Sequence, residues 1–236
     1  KSKNGGKTWD HVGLPKAGLI GAVEIHPDNP DLVFVAAIGQ PFQTNIERGV
    51  YRSRDGGKSW KKVLFIADSV GVSDIEFAPG NPKIIYAGTW RTERKPWTII
   101  SGGQNGGIYK SQDGGETWVK KTRGLPKGLI GKIDLAVSPD DPDRLYALIE
   151  APVGEGGLYR SNNLGDSFKL VSTRSEIINR PFYYMNISAN PKNADIIFSS
   201  ANRFMRSDDG GKNWRNLSTP HGDNHDIWIH PKDTSL

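Results

Sequence analysis

The chain has 236 residues, 36% of them hydrophobic, enough to bury the core of one all-β domain, and its 28 glycines and 15 prolines suit short strands and tight turns rather than helices. No run of about 18 apolar residues exists, which excludes a transmembrane helix, and the absence of cysteine excludes disulfides and Cys-ligated metals. The net charge of +5 comes from 31 basic and 26 acidic residues spread through the chain, which reads as a solvated surface and argues against nucleic acid as a partner.

Residues 2–9 carry an eight-residue box, S-K-N-G-G-K-T-W, that recurs along the chain. Full copies occupy 53–60 (S-R-D-G-G-K-S-W), 111–118 (S-Q-D-G-G-E-T-W) and 207–214 (S-D-D-G-G-K-N-W), and the copies at 2–9 and 161–168 are looser. The starts at Ser2, Ser53, Ser111, Ser161 and Ser207 are 51, 58, 50 and 46 residues apart, a period that points to propeller blades. In each full copy an alternating segment runs into a turn whose paired glycines permit positive φ. The carboxylate of Asp55, Asp113 or Asp209 can accept backbone N–H bonds across that turn, and Trp60, Trp118 or Trp214 closes it as an aromatic plug. These six residues are assigned a structural role.

A second signal precedes each box: strand, Pro-rich turn, strand. It begins at Ala22, Asp74 and Asp134, with relatives at Asn186 and Asp226. Alternation before the proline and a β-branched or aromatic run after the turn predict two adjacent strands, and the box hairpin adds two more. The expected fold is therefore an all-β propeller of four-stranded antiparallel blades with about five blades visible, treated as one domain or fragment over 1–236. Complete blades are expected at about 19–64, 70–123, 130–172 and 182–218, with partial blades at 1–13 and 225–236. Either the two ends complete one split blade, making five, or the chain is a piece of a ring of six to ten. The second is favoured because Leu236 falls where a second strand should begin.

The Pro turns and the boxes must share one face, so the loops between second and third strands and the connections between blades share the other. Loops on a rigid scaffold are where binding resides. The 39–49 loop contains Arg48, and the long 90–107 loop alternates Trp90 and Trp97 with Arg91, Arg94 and Lys95, a composition suited to stacking on rings and pairing with carboxylates. Arg180 and Tyr183 stand in a blade connection of the same face. Trp90, Arg91, Arg94, Trp97, Arg48, Arg180 and Tyr183 are thus the ligand-binding candidates, against the plainer reading of gap-filling tryptophans and loop-bracing arginines.

No residue is assigned catalysis. Asp74, Asp134 and Asp226 share one position in their first strands, ringing the channel, where crowding would raise a pKa and provide an acid and a base for glycoside hydrolysis. The preferred reading of such an Asp is a bond to nearby backbone N–H groups or to a channel water. No metal is assigned either, although His221, Asp223 and His225 alternate, which in extended chain would turn three ligands to one side. No cofactor is called for.

The boxes resemble the Asp-box (BNR) repeat of sialidases, xyloglucanase-like glycosidases and sortilin-type propellers, in which it sits at the outer corner of a blade between its third and fourth strands. W-R-T-E-R-K-P-W with S-G-G, then G-I-Y-K-S-Q-D-G-G, R-P-F-Y-Y and H-G-D-N-H-D-I-W, together resemble a group of exported bacterial propellers related to the sortilin-type domain and labelled glycosyl hydrolase. The likeness covers nearly the whole chain and carries over no catalytic residue. It implies a secreted, periplasmic or cell-surface protein. Two functions stand open: a non-catalytic module binding protein, peptide or glycan through the loop-rich face, as one subunit of a larger assembly or alone, which is preferred; and a glycosidase using channel carboxylates.

Overall fold

A computed structural model describes residues 1–234; Leu236, at which a second strand was expected to begin, lies outside the described residues. Among the described residues, seventeen strands form four antiparallel sheets. The first blade is β1 (Leu19–Ile25), β2 (Val33–Gly39), β3 (Gly49–Ser53) and β4 (Lys61–Leu64). The second is β5 (Val70–Phe77), β6 (Ile85–Lys95), β8 (Ile108–Ser111) and β9 (Val119–Lys121), and β7 (Thr98–Ser101) folds back on the overlong end of β6. The third is β10 (Ile133–Val137), β11 (Leu145–Ile149), β12 (Gly157–Ser161) and β13 (Lys169–Ser172). The fourth is β14 (Asn186–Ala189), β15 (Ile197–Ser200), β16 (Phe204–Ser207) and β17 (Arg215–Leu217). Each sheet keeps its strands in chain order, the meander of a propeller blade. Residues 1–13 and 225–234, within which partial blades were expected, hold turns and bends but no strand. Strand geometry there would require a neighbouring ladder to accept its hydrogen bonds, and none of the four sheets extends to these segments.

Period-2 alternation lets each blade use both faces. On β2, Phe34 and Ala36 pack toward the second blade against Val72, Ile75 and Ile85, while Val35 and Ala37 pack the other way against Ala17 and Tyr51. Tyr86 and Ile108 meet Ile133, Leu135 and Leu145 at the next junction, and Tyr146 and Leu158 meet Ile187, Ile197 and Trp214 at the last. At the first junction the inner strands converge so closely that a Cβ on Gly21 would stand 2.2 Å from the Ser73 carbonyl oxygen, so only glycine fits.

All five boxes share one hydrogen-bond scheme. The Ser Oγ accepts the N–H of the glycine four residues on, at 2.8 or 2.9 Å, in Ser2, Ser53, Ser111, Ser161 and Ser207 alike. The Asp or Asn Oδ1 accepts the N–H four residues beyond itself, at 2.9 Å in Asp55, Asp113 and Asp209. Trp214 is buried, while Trp60 and Trp118 are half-buried. The four boxes that lie within blades are also tied to the Pro turns of those blades: Gly56, Gly114, Leu164 and Gly210 donate N–H bonds to the carbonyls of Asp31, Lys83, Asp143 and Asp195 at 2.8 or 2.9 Å. Boxes and Pro turns therefore lie on one face, and the β6–β7 hairpin, at the end of β6 away from Ile85 and its partner Ser111, projects toward the other.

Candidate functional site

The face opposite the boxes carries a cleft of about 450 Å³ where the four blades and a blade connection meet. One wall is β6. Its alternation turns Trp90, Thr92 and Arg94 into the cleft and Arg91, Glu93 and Lys95 away from it. Pro41 and Phe42 of the 39–49 loop, Lys132 and Asp134 at the start of β10, and Tyr183 before β14 also line it, over a floor from β1 and the inner end of β5 that includes Gly21 and Ser73. The hairpin is held against the first blade by the Arg94 amide, which donates to the Pro41 carbonyl at 2.6 Å. It is held against the third by a polar relay: Trp90 Nε1 donates to Ser101 Oγ at 2.9 Å, which donates to Glu150 Oε2 at 2.5 Å, which accepts the Lys132 amide at 2.8 Å.

The seven binding candidates separate. Trp90, Arg94 and Tyr183 line the cleft; Trp90 is only 6% exposed and serves as wall more than platform. Phe42 and Tyr183 are 69% and 54% exposed and are the accessible rings. Arg91 lies on the reverse of the hairpin beside Gly103, and Trp97 stands 81% exposed at the hairpin tip, outside the cleft. Arg48 is wholly buried: its guanidinium donates to the carbonyls of Ser69, Gln40, Gln43 and Thr92. It braces the loop against β6 and offers nothing to a ligand, because its fork is turned inward and its donors are taken up by four backbone carbonyls. Arg180, with φ of 55°, folds its guanidinium over Tyr183 and Tyr184, 5.6 Å from each ring centre, and so supports Tyr183 from behind.

Two members of the Asp column, Asp74 and Asp134, bridge adjacent blades. Asp74 accepts its neighbour Ile75's N–H at 2.9 Å and, across the blade junction, that of Leu135 at 2.7 Å. Asp134 accepts the Ile187 N–H at 2.7 Å in the same way, and Asp226, which has no blade beside it among the described residues, accepts only the N–H of Ile227. Burial pushes Asp74 well above the usual carboxylate range, with repulsion from Asp134 added, and it pushes Asp134 up to about 6 against the opposing pull of Lys132. Two further acids, Glu24 and Glu76, sit on the same inner strands. Desolvation raises Glu24 to about 7 and carries Glu76 well above its ordinary value. Each stands two residues after a column position, on the same strand face by period 2, and that spacing was the available signal for them; Lys132, two residues before Asp134, could have been found the same way.

His221, Asp223 and His225 do not converge. Asp223 adopts φ of 58°, which breaks the alternation; its carboxylate accepts the Tyr184 hydroxyl at 2.9 Å, and His225 packs edge-on against Tyr183 and Tyr184. Among the described residues no three such side chains are placed to hold a metal ion.

Residues 51–62 match the BNR/Asp-box repeat. Over 92% of its length the chain is 26% identical to a xyloglucanase of Acetivibrio thermocellus, and over 90% it is 28% identical to a xyloglucanase of a Paenibacillus species. It spans only 28% and 18% of the lengths of those two proteins. Among solved structures, an ancestral GH74 enzyme superposes with a TM-score of 0.61 at 18% identity, covering 91% of this chain and 28% of that one. YCF48 from Cyanidioschyzon merolae superposes with a TM-score of 0.52 at 18% identity, covering 94% and 63%. The chain thus carries BNR/Asp-box repeats on a β-propeller fold. No helix among the described residues is long and apolar enough to cross a membrane.

Proposed function

We propose that this chain recognises a carbohydrate in the cleft opposite the boxes, as the binding face of a glycoside-hydrolase-like propeller. The observation that carries the reading is the pair of exposed rings, Phe42 and Tyr183, set across a cleft whose other walls present Thr92, Arg94, Lys132 and Asp134. Sugar recognition needs an aromatic face for the C–H surface of the ring and fixed polar groups for its hydroxyls, and this cleft has both. The similarity to xyloglucanases supports a glycan over a peptide. A polymeric glycan is met outside the cytoplasm, so the working protein is an exported one, secreted, periplasmic or on the cell surface.

One observation favours hydrolysis as a second reading. Asp134 lines the cleft with its carboxyl raised to about 6, a value at which it can hold a proton for a leaving oxygen near neutral pH. Asp226, whose charge acts on Asp134, would be the second carboxyl, while Asp74 is enclosed with both oxygens accepting backbone N–H bonds. The deciding experiment is calorimetric titration of the full-length protein and its Phe42→Ala variant with xyloglucan oligosaccharides, beside a reducing-end assay of wild type and Asp134→Asn. Capture that weakens in Phe42→Ala without turnover supports binding. Turnover abolished by Asp134→Asn moves the protein to the hydrolases, and absence of both capture and turnover overturns the carbohydrate reading.

A further inference from the structure

The cleft holds a cation that the protein itself leaves unanswered. Arg94 is exposed, and among the described residues its guanidinium has no hydrogen-bond or ion-pair partner. Strand alternation accounts for this: the acid next to it, Glu93, is on the reverse side of the hairpin, where it pairs with Lys95. Across the cleft Lys132 is half-buried, and its ammonium finds only Asn186 Oδ1, at 3.4 Å. The acid on the cleft wall is Asp134 of β10, two residues after Lys132.

We infer, resting on the carbohydrate reading above, that the cleft selects sugars bearing a carboxylate, so that its ligand is a uronic-acid-containing glycan rather than a neutral one. The sugar ring stacks on Phe42 or Tyr183 and its carboxylate meets the Arg94 fork, with Lys132 adding charge from the opposite wall. A planar guanidinium matches a carboxylate with two parallel hydrogen bonds, and a neutral hydroxyl cannot use both. Two cations, one of them offset by Asp134, suit one charge per sugar better than the dense charge of a sulfated chain, which calls for a cluster of basic residues. Protonation of Asp134 would remove the negative charge that offsets Lys132 and so strengthen capture; Lys132, just ahead of β10, and Asp226 of the C-terminal segment act on Asp134, which in turn acts on Asp74 and Glu76 of β5. An ordinary sugar carboxylate remains ionised down to about pH 4, so the ligand keeps its charge over that range.

The test titrates full-length protein with oligogalacturonate, a neutral xyloglucan oligosaccharide of equal length and dextran sulfate, for wild type, Arg94→Gln and Lys58→Gln, a surface control within a box. Arg94→Gln removes an exposed side chain, and an unchanged melting temperature confirms that the variant folds. The expected result is tighter capture of oligogalacturonate than of the neutral oligosaccharide, weakened roughly ten- to a hundred-fold by Arg94→Gln and not by Lys58→Gln. Capture of the neutral oligosaccharide alone, tighter capture of dextran sulfate, or uronate capture indifferent to Arg94→Gln overturns the inference and leaves the carbohydrate reading standing. Capture of none of the three overturns both.

Discussion

Asp74 and the amide of Leu135 meet at 2.7 Å across the junction between the second and third blades, and Asp134 repeats the contact to Ile187 one blade further on. A carboxylate on an inner strand thus supplies a hydrogen bond that no ladder can, because adjacent blades present faces to each other rather than edges.

Asp74→Ala should leave two buried donors, the Ile75 and Leu135 amides, without acceptors. At the cost of an unsatisfied buried group, the loss is about 2 to 4 kcal/mol, read as a lower urea midpoint in equilibrium unfolding. A midpoint unchanged from wild type would show that the bond between blades is dispensable.

Stability should fall as pH rises from about 4 toward 7. Glu24 at about 7 and Asp134 at about 6 bind protons more tightly folded than unfolded, so their contribution is complete below the ordinary carboxylate range and is lost as pH passes their folded values. The box aspartates act oppositely. Hydrogen bonds from the Asn213 amide, with the Asn213 and Ser207 side chains adding to them, hold Asp209 down at about 2, and Asp55 and Asp113 are lowered by the same kind of turn, so their contribution is present above about pH 4 and lost as pH falls below it. Calorimetric scans from pH 2 to 9 should give a melting temperature that peaks near pH 4 to 5, and Glu24→Gln should flatten the alkaline limb.

Ser111→Ala tests which residue anchors a box. Ser111 is buried, accepts the Gly115 N–H at 2.8 Å and donates to Asp113 Oδ1 at 2.8 Å. Its loss should cost about 1 to 3 kcal/mol by stranding the Gly115 amide, lowering the melting temperature by several degrees.

Trp97→Ala and Phe42→Ala should behave differently in a glycan titration. Trp97, at the hairpin tip, should be replaceable with less than a twofold change in affinity, whereas loss of the Phe42 ring should weaken capture about tenfold. Equal losses would extend the binding surface out along the hairpin.

Much of the fold was legible because its signals are local. A box closes within eight residues through its own Ser, Asp and glycines, and a blade's strands follow one another in chain order, so a repeated pattern in the sequence becomes a repeated object in space. The face carrying the loops was legible for the same reason, since strand order alone alternates the turns between two ends. Which loop residues would meet a ligand was not. Arg48 and Arg94 look alike in composition, yet one is sealed under the loop by four backbone carbonyls and the other is left open by the alternation of an overlong strand. The Asp column was visible as a spacing, but its role depended on which amides the next blade brings within 2.7 Å, and that is set by the angle at which separate sheets pack. Local chemistry in the sequence determines each blade; the burial and pairing of side chains between blades is decided only when distant segments are brought face to face.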